Sequence, residues 1–425
     1  MRVLTISNMY PPHHFGGYEL SCRDVMERFR ARGHIVTVLT TTVRVPHVPD
    51  DTDANVRREL TFYWDDHVLL SPHLRRRLET ERRNQAVLQR ALTDTRPDVV
   101  SVWNMGAMSL GLLTTITERG IPIVFVVYDD WLVYGPNLDA WTRLFRGRDA
   151  IARLVRRLTG VPTTLPDFAN AGAYCFLSDY IRRRAVNETG WKPRTSTVVY
   201  GGVDTTDFPI TTPGARVWSG RLLYVGRIDE RKGLHVAVDA VAKLPADTTL
   251  EIIGSGDETY AAQLRDRVAR LGLGARVTFD RVPREELSER FARADVCVFP
   301  VLWDEPFGIV PLEAMACATP VIATGTGGSA EFLEDGANCL LVPRDDAGAI
   351  ARSVERLAAD AALRARLAEG GVRTAARFTI DHLTDELERW HIAAAGRFIE
   401  DLPEPRAARK ANDATGDDGD RLPTS

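Results

Sequence analysis

An alternation that runs twice along this chain constrains its fold more than any other feature. Short apolar runs of strand length recur, and each is followed by a turn and then by an amphipathic helical run. Residues 3–7 form the first such run, followed by the loop 8–17 with Pro11-Pro12 and Gly16-Gly17. A helix comes next, with Leu20, Val25, Met26 and Phe29 as core positions; Gly33 ends it and residues 34–39 make the next strand. Strand, loop, helix and strand in that order predict parallel pairing through a right-handed crossover. Further strands are expected at 98–103, 121–127, 171–177 and 196–200, with helices at 108–119 and 179–188. Residues 44–70 read as a surface loop or hairpin.

Residues 208–217, with Pro209, Pro213 and Gly214, are the best linker candidate. Beyond them the alternation restarts, with strands at 221–225, 250–253, 277–279, 295–299, 320–323 and 339–342. Helices are expected from 347 to about 377, with a break near Asp360. A last helix at 380–399 carries Leu383, Leu387, Trp390 and Ile392. Residues 401–425 hold almost no large apolar side chain and read as disordered. The expected organisation is therefore two doubly wound α/β halves, 1–212 and 213–378, then a helix at 379–400 and a tail at 401–425.

Composition agrees with two ordinary globular cores. A chain of 425 residues exceeds what one core accommodates, and 44% hydrophobic with 26% charged residues is typical. The net charge of −4 gives no argument for nucleic acid as a partner. One segment is locally basic, with Arg75, Arg76, Arg77, Arg82, Arg83, Arg90 and Arg96. It reads as a solvated helix face; a surface for anionic lipid or an acidic acceptor is the alternative. Five cysteines without CxxC spacing suggest neither a disulfide framework nor a zinc site. The N-terminus reads as a strand and no apolar run reaches membrane-spanning length, so a cytoplasmic location is expected, with peripheral contact to the inner face of a membrane as an option.

Candidate functional residues fall at the C-terminal ends of strands, the edge where open α/β sheets bind ligands. Gly16 and Gly17, Asp129, Ser178, Asp204, Gly226, Gly254 and Glu305 all occupy such places. The stretch 300–315 is the densest. Glu305 and Glu313 bracket a strand-to-helix turn, and amides near Gly308, Ile309 and Val310 would point out of a helix N-terminus, with Pro311 in its first turn. Such a turn can hold a polyol on one side and a phosphate on the other. The alternative is an acid favoured by the helix dipole beside a surface glutamate. Arg227 and Lys232, framed by Gly226 and Gly233, suit a diphosphate; the alternative is a charged exposed loop. On either reading Lys232 is expected to be an exposed loop lysine that adds little to stability.

Gly226-Arg227 followed by Lys232-Gly233, with Glu305 and Glu313 eight residues apart in Glu-Pro-Phe-Gly-Ile-Val-Pro-Leu-Glu-Ala, resembles the retaining glycosyltransferases of family 4, the group 1 glycosyltransferases. The resemblance includes Pro-Pro-x-x-x-Gly-Gly, Gly202-Val203-Asp204, Gly254-Ser255-Gly256, and Gly327-Gly328 with Glu331. It implies the GT-B architecture, two Rossmann-like domains facing across a cleft, with a final helix crossing back to the first. The C-terminal half would bind a nucleotide-diphosphate sugar (UDP-, GDP- or ADP-sugar) as co-substrate, and the N-terminal half a sugar-containing or lipid-linked acceptor. Arg227 and Lys232 would neutralise the departing diphosphate. Glu305 would bind the donor sugar and Glu313 the ribose, with amides from Phe307 to Val310 and the Gly226 and Gly254 turns nearby. Gly16 and Gly17 would approach phosphate and acceptor, and Asp129 would join the catalytic group. Neither a metal nor a further cofactor is implied. Two departures matter: Tyr128-Asp129 stands where the family often has His-Asp, with Tyr128 placed beside the acceptor and phosphate loop and still able to donate a hydrogen bond, and Gly336-Ala337-Asn338-Cys339 stands where a second glycine is usual, for which only a local backbone adjustment is expected. A catalytically silent relative that binds a sugar nucleotide or scaffolds a partner is the second reading; another GT-B enzyme, such as an epimerase or phosphorylase, is the third.

Overall fold

A computed structural model describes residues 1–396, apart from 51, 66, 67, 215 and 216. The segment 401–425, expected to be disordered, lies outside the described residues. The first alternation builds a seven-stranded, wholly parallel sheet. Its strands lie in the order Val56–Leu60, Ile35–Thr41, Arg2–Ile6, Val99–Val102, Ile123–Val127, Ala173–Phe176 and Thr195–Val198. The second builds a six-stranded parallel sheet in the order Val277–Asp280, Thr249–Ile253, Arg221–Val225, Val296–Phe299, Val321–Ala323 and Leu340–Leu341. Helices cover both faces of such sheets, so the central strands read as unbroken apolar runs. Ile123–Val127 and Val296–Phe299 are buried at every residue. In each sheet the strand order reverses beside the first strand, which opens a crevice at the C-terminal ends. This is the expected pair of doubly wound α/β halves.

Three expectations are revised. Within 44–70, Val56–Leu60 is a true edge strand of the first sheet, because its parallel register on Ile35–Thr41 lets Leu60 enter the core. Phe208 does not begin a free linker. Its ring is fully buried against Phe291, with the Arg284 guanidinium 4.9 Å from its centroid. In the last helix, Ile380–Gly396, Leu383, Leu387 and Trp390 are buried as expected, but Ile392 is exposed because it lies on the helix's outer face. That helix returns to the first half. It packs on the helix Gly17–Ala31 and on three strands of the first sheet. Arg28 pairs with Asp381 and Arg32 with Asp385 and Glu388 along the seam.

Segments that follow the C-terminal ends of strands in the two sheets meet. Ser178, just past one strand, donates from Oγ to the Pro306 carbonyl at 2.6 Å. Glu331 accepts the amides of Asp179 and Tyr180 at 3.0 and 2.8 Å, which caps the helix Asp179–Thr189 from the other half. Asp204 is likewise structural, since Arg28 holds it at 3.1 Å.

Candidate active site

On the C-terminal half, the strand Arg221–Val225 ends in Gly226, whose φ is 147°. A Cβ on Gly254 would lie 1.9 Å from the Gly226 carbonyl oxygen. The two glycines therefore let neighbouring strand ends touch, so Gly254 is needed for packing. The chain then enters the short turn Glu230–Lys232, capped by Asp229. This turn carries Lys232 back over the strand ends to Glu305, with Nζ 2.7 Å from Oε2. Trp303 Nε1 donates to the same oxygen at 2.9 Å, and Arg231 lies over the Trp303 ring at 4.7 Å. The two side chains of the ion pair are only 15% and 13% exposed. Lys232 is thus a desolvated, paired cation, not the exposed loop lysine expected, because Trp303 and Phe299 wall it in. Arg227 stays largely open, with the Asp229 carboxylate 3.7 Å away.

Past Glu305 the helix Ile309–Ala316 begins. Gly308 precedes it with φ 86° and no side chain caps it, so the first-turn amides of Ile309 and Val310 remain open to the edge. The Phe307 ring instead packs among Tyr200, Phe332 and Phe378 and can offer a ligand only its backbone. Glu313 is buried in the second turn. Its Oε1 lies 3.1 Å from Arg284, which also binds Asp207 at 2.9 Å. Burial pushes the Glu313 carboxyl up, while Arg284 opposes the shift. A ribose hydroxyl at Glu313 would therefore have to share it with Arg284.

Across the crevice, Gly16 and Gly17 open the helix Gly17–Ala31, and a Cβ on Gly17 would meet no atom within 4 Å. Glu19 turns back to accept the Gly16 amide at 3.1 Å. It is almost fully buried, and burial pushes its carboxyl up to about 7; the Asp129 charge adds to this and the Arg227 charge opposes it. Asp129 accepts the Trp131 amide at 3.0 Å and the Tyr134 hydroxyl at 3.2 Å, and burial raises it to about 6. Tyr128 does not reach toward a ligand as expected. It is buried, stacked on Tyr18 at 4.9 Å, and its hydroxyl accepts from Ser21 Oγ at 3.2 Å.

Arg227, Lys232, Glu305 and the open amides thus gather on one edge, and Glu19 and Asp129 face them from the other. Cations and amides can hold an anion, and paired acids can hold hydroxyls. Among the described residues no group of three or more His, Cys, Asp or Glu could hold a metal ion. Three participants escaped the sequence reading. Glu19 had a local signal, since an acid three residues after Gly16 is the N3 position of a helix start. Trp303 lay two residues before Glu305 without a role. Arg284 had no signal, because its partner Glu313 is 29 residues further on and only the fold brings them together.

The family model for glycosyl transferases group 1 matches residues 219–374, and that for glycosyltransferase family 4 matches residues 15–207. The chain is 34% identical over 241 residues to the lipopolysaccharide core biosynthesis glycosyltransferase LpsE of Rhizobium meliloti, covering 54% of this chain and 67% of that one. It is 37% identical over 217 residues to the D-inositol 3-phosphate glycosyltransferase of Stackebrandtia nassauensis, covering 46% and 48% of the two chains. That match spans about half the length of the relative. Among solved structures, Anabaena HepE in complex with UDP superposes with a TM-score of 0.66 at 20% identity, covering 92% and 99% of the two chains. Sucrose-phosphate synthase from Thermosynechococcus elongatus gives 0.69 at 22% identity, covering 93% and 99%. With two parallel Rossmann-like sheets facing at their C-terminal edges and both family models matched in order, the chain belongs to the family 4, group 1 glycosyltransferases and has the GT-B fold.

Proposed function

We propose that this protein transfers a sugar, with retention at the anomeric carbon, from a nucleotide-diphosphate sugar to a sugar-containing or lipid-linked acceptor. The observation that carries the reading is the convergence of Arg227, Lys232 and the Ile309 and Val310 amides beside Glu305. The donor diphosphate would lie on these groups. As the bond from the anomeric carbon to the phosphate oxygen breaks, the diphosphate takes the electron pair, and the two cations stabilise the charge that develops. Lys232 would exchange Glu305 for the phosphate, which frees the Glu305 carboxylate to accept the sugar's hydroxyls. Glu313 would accept from the ribose. The acceptor hydroxyl would enter from the Gly16-Gly17 side, where Asp129 and Glu19 orient it; its oxygen would bond to the anomeric carbon on the same face the diphosphate leaves, while its proton passes to the departing phosphate oxygen. Solved neighbours in complex with UDP and with UDP-glucose make a UDP-sugar the first donor to try.

A thermal-shift screen with UDP-, GDP- and ADP-sugars tests the donor, because a ligand that binds only the folded state raises Tm by mass action. A shift with one donor class, followed by sugar transfer to an acceptor panel, is the expected result. Binding without transfer to any acceptor or to water would favour the catalytically silent alternative. No shift with any nucleotide sugar would remove the reading.

A further inference from the structure

We propose that the helix Asp149–Thr159 and the turn before it form a docking surface for an anionic lipid bilayer. Of that helix's eleven residues, Ala152 alone is buried. Ile151, Leu154 and Leu158 are 53%, 57% and 72% exposed. Their spacing puts them within about 60° of azimuth, one continuous apolar stripe. Basic residues surround it. Residues 143–158 hold six arginines (Arg143, Arg146, Arg148, Arg153, Arg156 and Arg157) against one acid, Asp149, in a chain whose net charge is −4. Among the described residues, Arg156 alone of the six pairs with a carboxylate, Glu118.

Arg143, Arg146 and Arg148 donate to the carbonyl oxygens of Asn137, Pro136 and Leu144, while Arg153 and Arg157 on the helix have no partner among the described residues. An apolar stripe edged by such free arginines matches an interface-lying helix, whose leucines enter the acyl boundary while its arginines meet lipid phosphates. The stripe is held on a firm base. Beneath it Trp141, Phe145, Ala152 and Val161 form their own cluster, joined by Leu78, and Trp141 Nε1 donates to the Pro162 carbonyl at 2.8 Å. The charge argues for a negative occupant, and the width and one-sidedness of the stripe argue for a surface rather than a small ligand. The basic segment singled out in the sequence fits this role less well, since Arg75 pairs with Glu79, Arg90 with Glu59, and Arg77 is turned onto the Ala140 carbonyl. No helix among the described residues is long and apolar enough to cross a membrane, so contact here would be peripheral.

Co-sedimentation of the full chain with vesicles tests this independently of any donor or acceptor. Phosphatidylcholine vesicles containing phosphatidylglycerol should bind it, and pure phosphatidylcholine vesicles should bind far less. Leu154→Asp with Leu158→Asp should lower the partition coefficient on the order of tenfold or more, and so should Arg153→Glu with Arg157→Glu or raised salt. These side chains are exposed, so both variants should keep the wild-type Tm, which is measured alongside. Three outcomes would overturn the proposal: no binding to anionic vesicles, equal binding by folded variants, or a concentration-dependent dimer abolished by the leucine variant, which would make a second copy the occupant.

Discussion

The two edges of the crevice handle charge in opposite ways. On the C-terminal edge each buried acid already has a cation: Glu305 has Lys232 and Glu313 has Arg284. On the N-terminal edge Glu19 and Asp129 are enclosed with hydrogen-bond donors but, among the described residues, no ion-pair partner, and burial raises both. The first arrangement keeps charges in place until a ligand exchanges for one of them. The second holds acids whose protonation responds near neutral pH. The difference suits a crevice where a charged leaving group sits on one side and a neutral hydroxyl arrives on the other.

Breaking the C-terminal pairing should have the largest effect. Lys232→Ala should lower turnover by on the order of 2–4 kcal/mol of transition-state stabilisation. It should also lower Tm, because Glu305 would remain largely desolvated without its cation. Adding Glu305→Gln should restore Tm and leave turnover low. Restored turnover in the double variant would take Lys232 out of the mechanism.

On the N-terminal edge the sharper probe is pH. The Glu19 carboxyl is raised in the folded state, so folding retains a proton that the unfolded chain has released. That stabilisation is complete below about pH 4.5, the unfolded value, and is lost as pH rises through about 7. Glu19→Gln keeps an acceptor for the Gly16 amide and removes the titration. The variant's stability relative to wild type should therefore rise between pH 4.5 and 7, by up to roughly 3 kcal/mol. Parallel Tm-against-pH curves would show that Glu19 does not titrate in that window.

The fold was legible because it is written locally. Apolar runs bounded by glycines and acids announce parallel strands, and the Gly226 and Gly308 turns follow from residues adjacent in sequence. The site was legible where one stretch carries several groups, as from Trp303 to Glu313. It was not where orientation depends on distant packing. Tyr128 follows its strand as a ligand residue would, yet Tyr18, 110 positions earlier, stacks on it and turns it inward. Lys232 looked exposed because nothing near it in sequence announces Trp303 above it.

A smaller effect follows from that orientation. Tyr128→Phe removes one buried hydroxyl whose one hydrogen bond among the described residues is accepted from Ser21, so it should alter stability by about 1 kcal/mol or less. Turnover and donor KM should stay at the wild-type level. A marked rise in KM on this change would show that the hydroxyl reaches the ligand after all.

The exchange of Lys232 from Glu305 to the diphosphate is tested most directly by calorimetric titration of UDP into wild type and Glu305→Gln. With the neutral amide at 305, Lys232 no longer has to leave an ion pair to meet the phosphate. UDP affinity should then equal or exceed that of wild type, while transfer from the intact donor falls. Loss of UDP binding in a folded Glu305→Gln protein would contradict the assignment of Glu305 to the sugar and of Lys232 to the diphosphate.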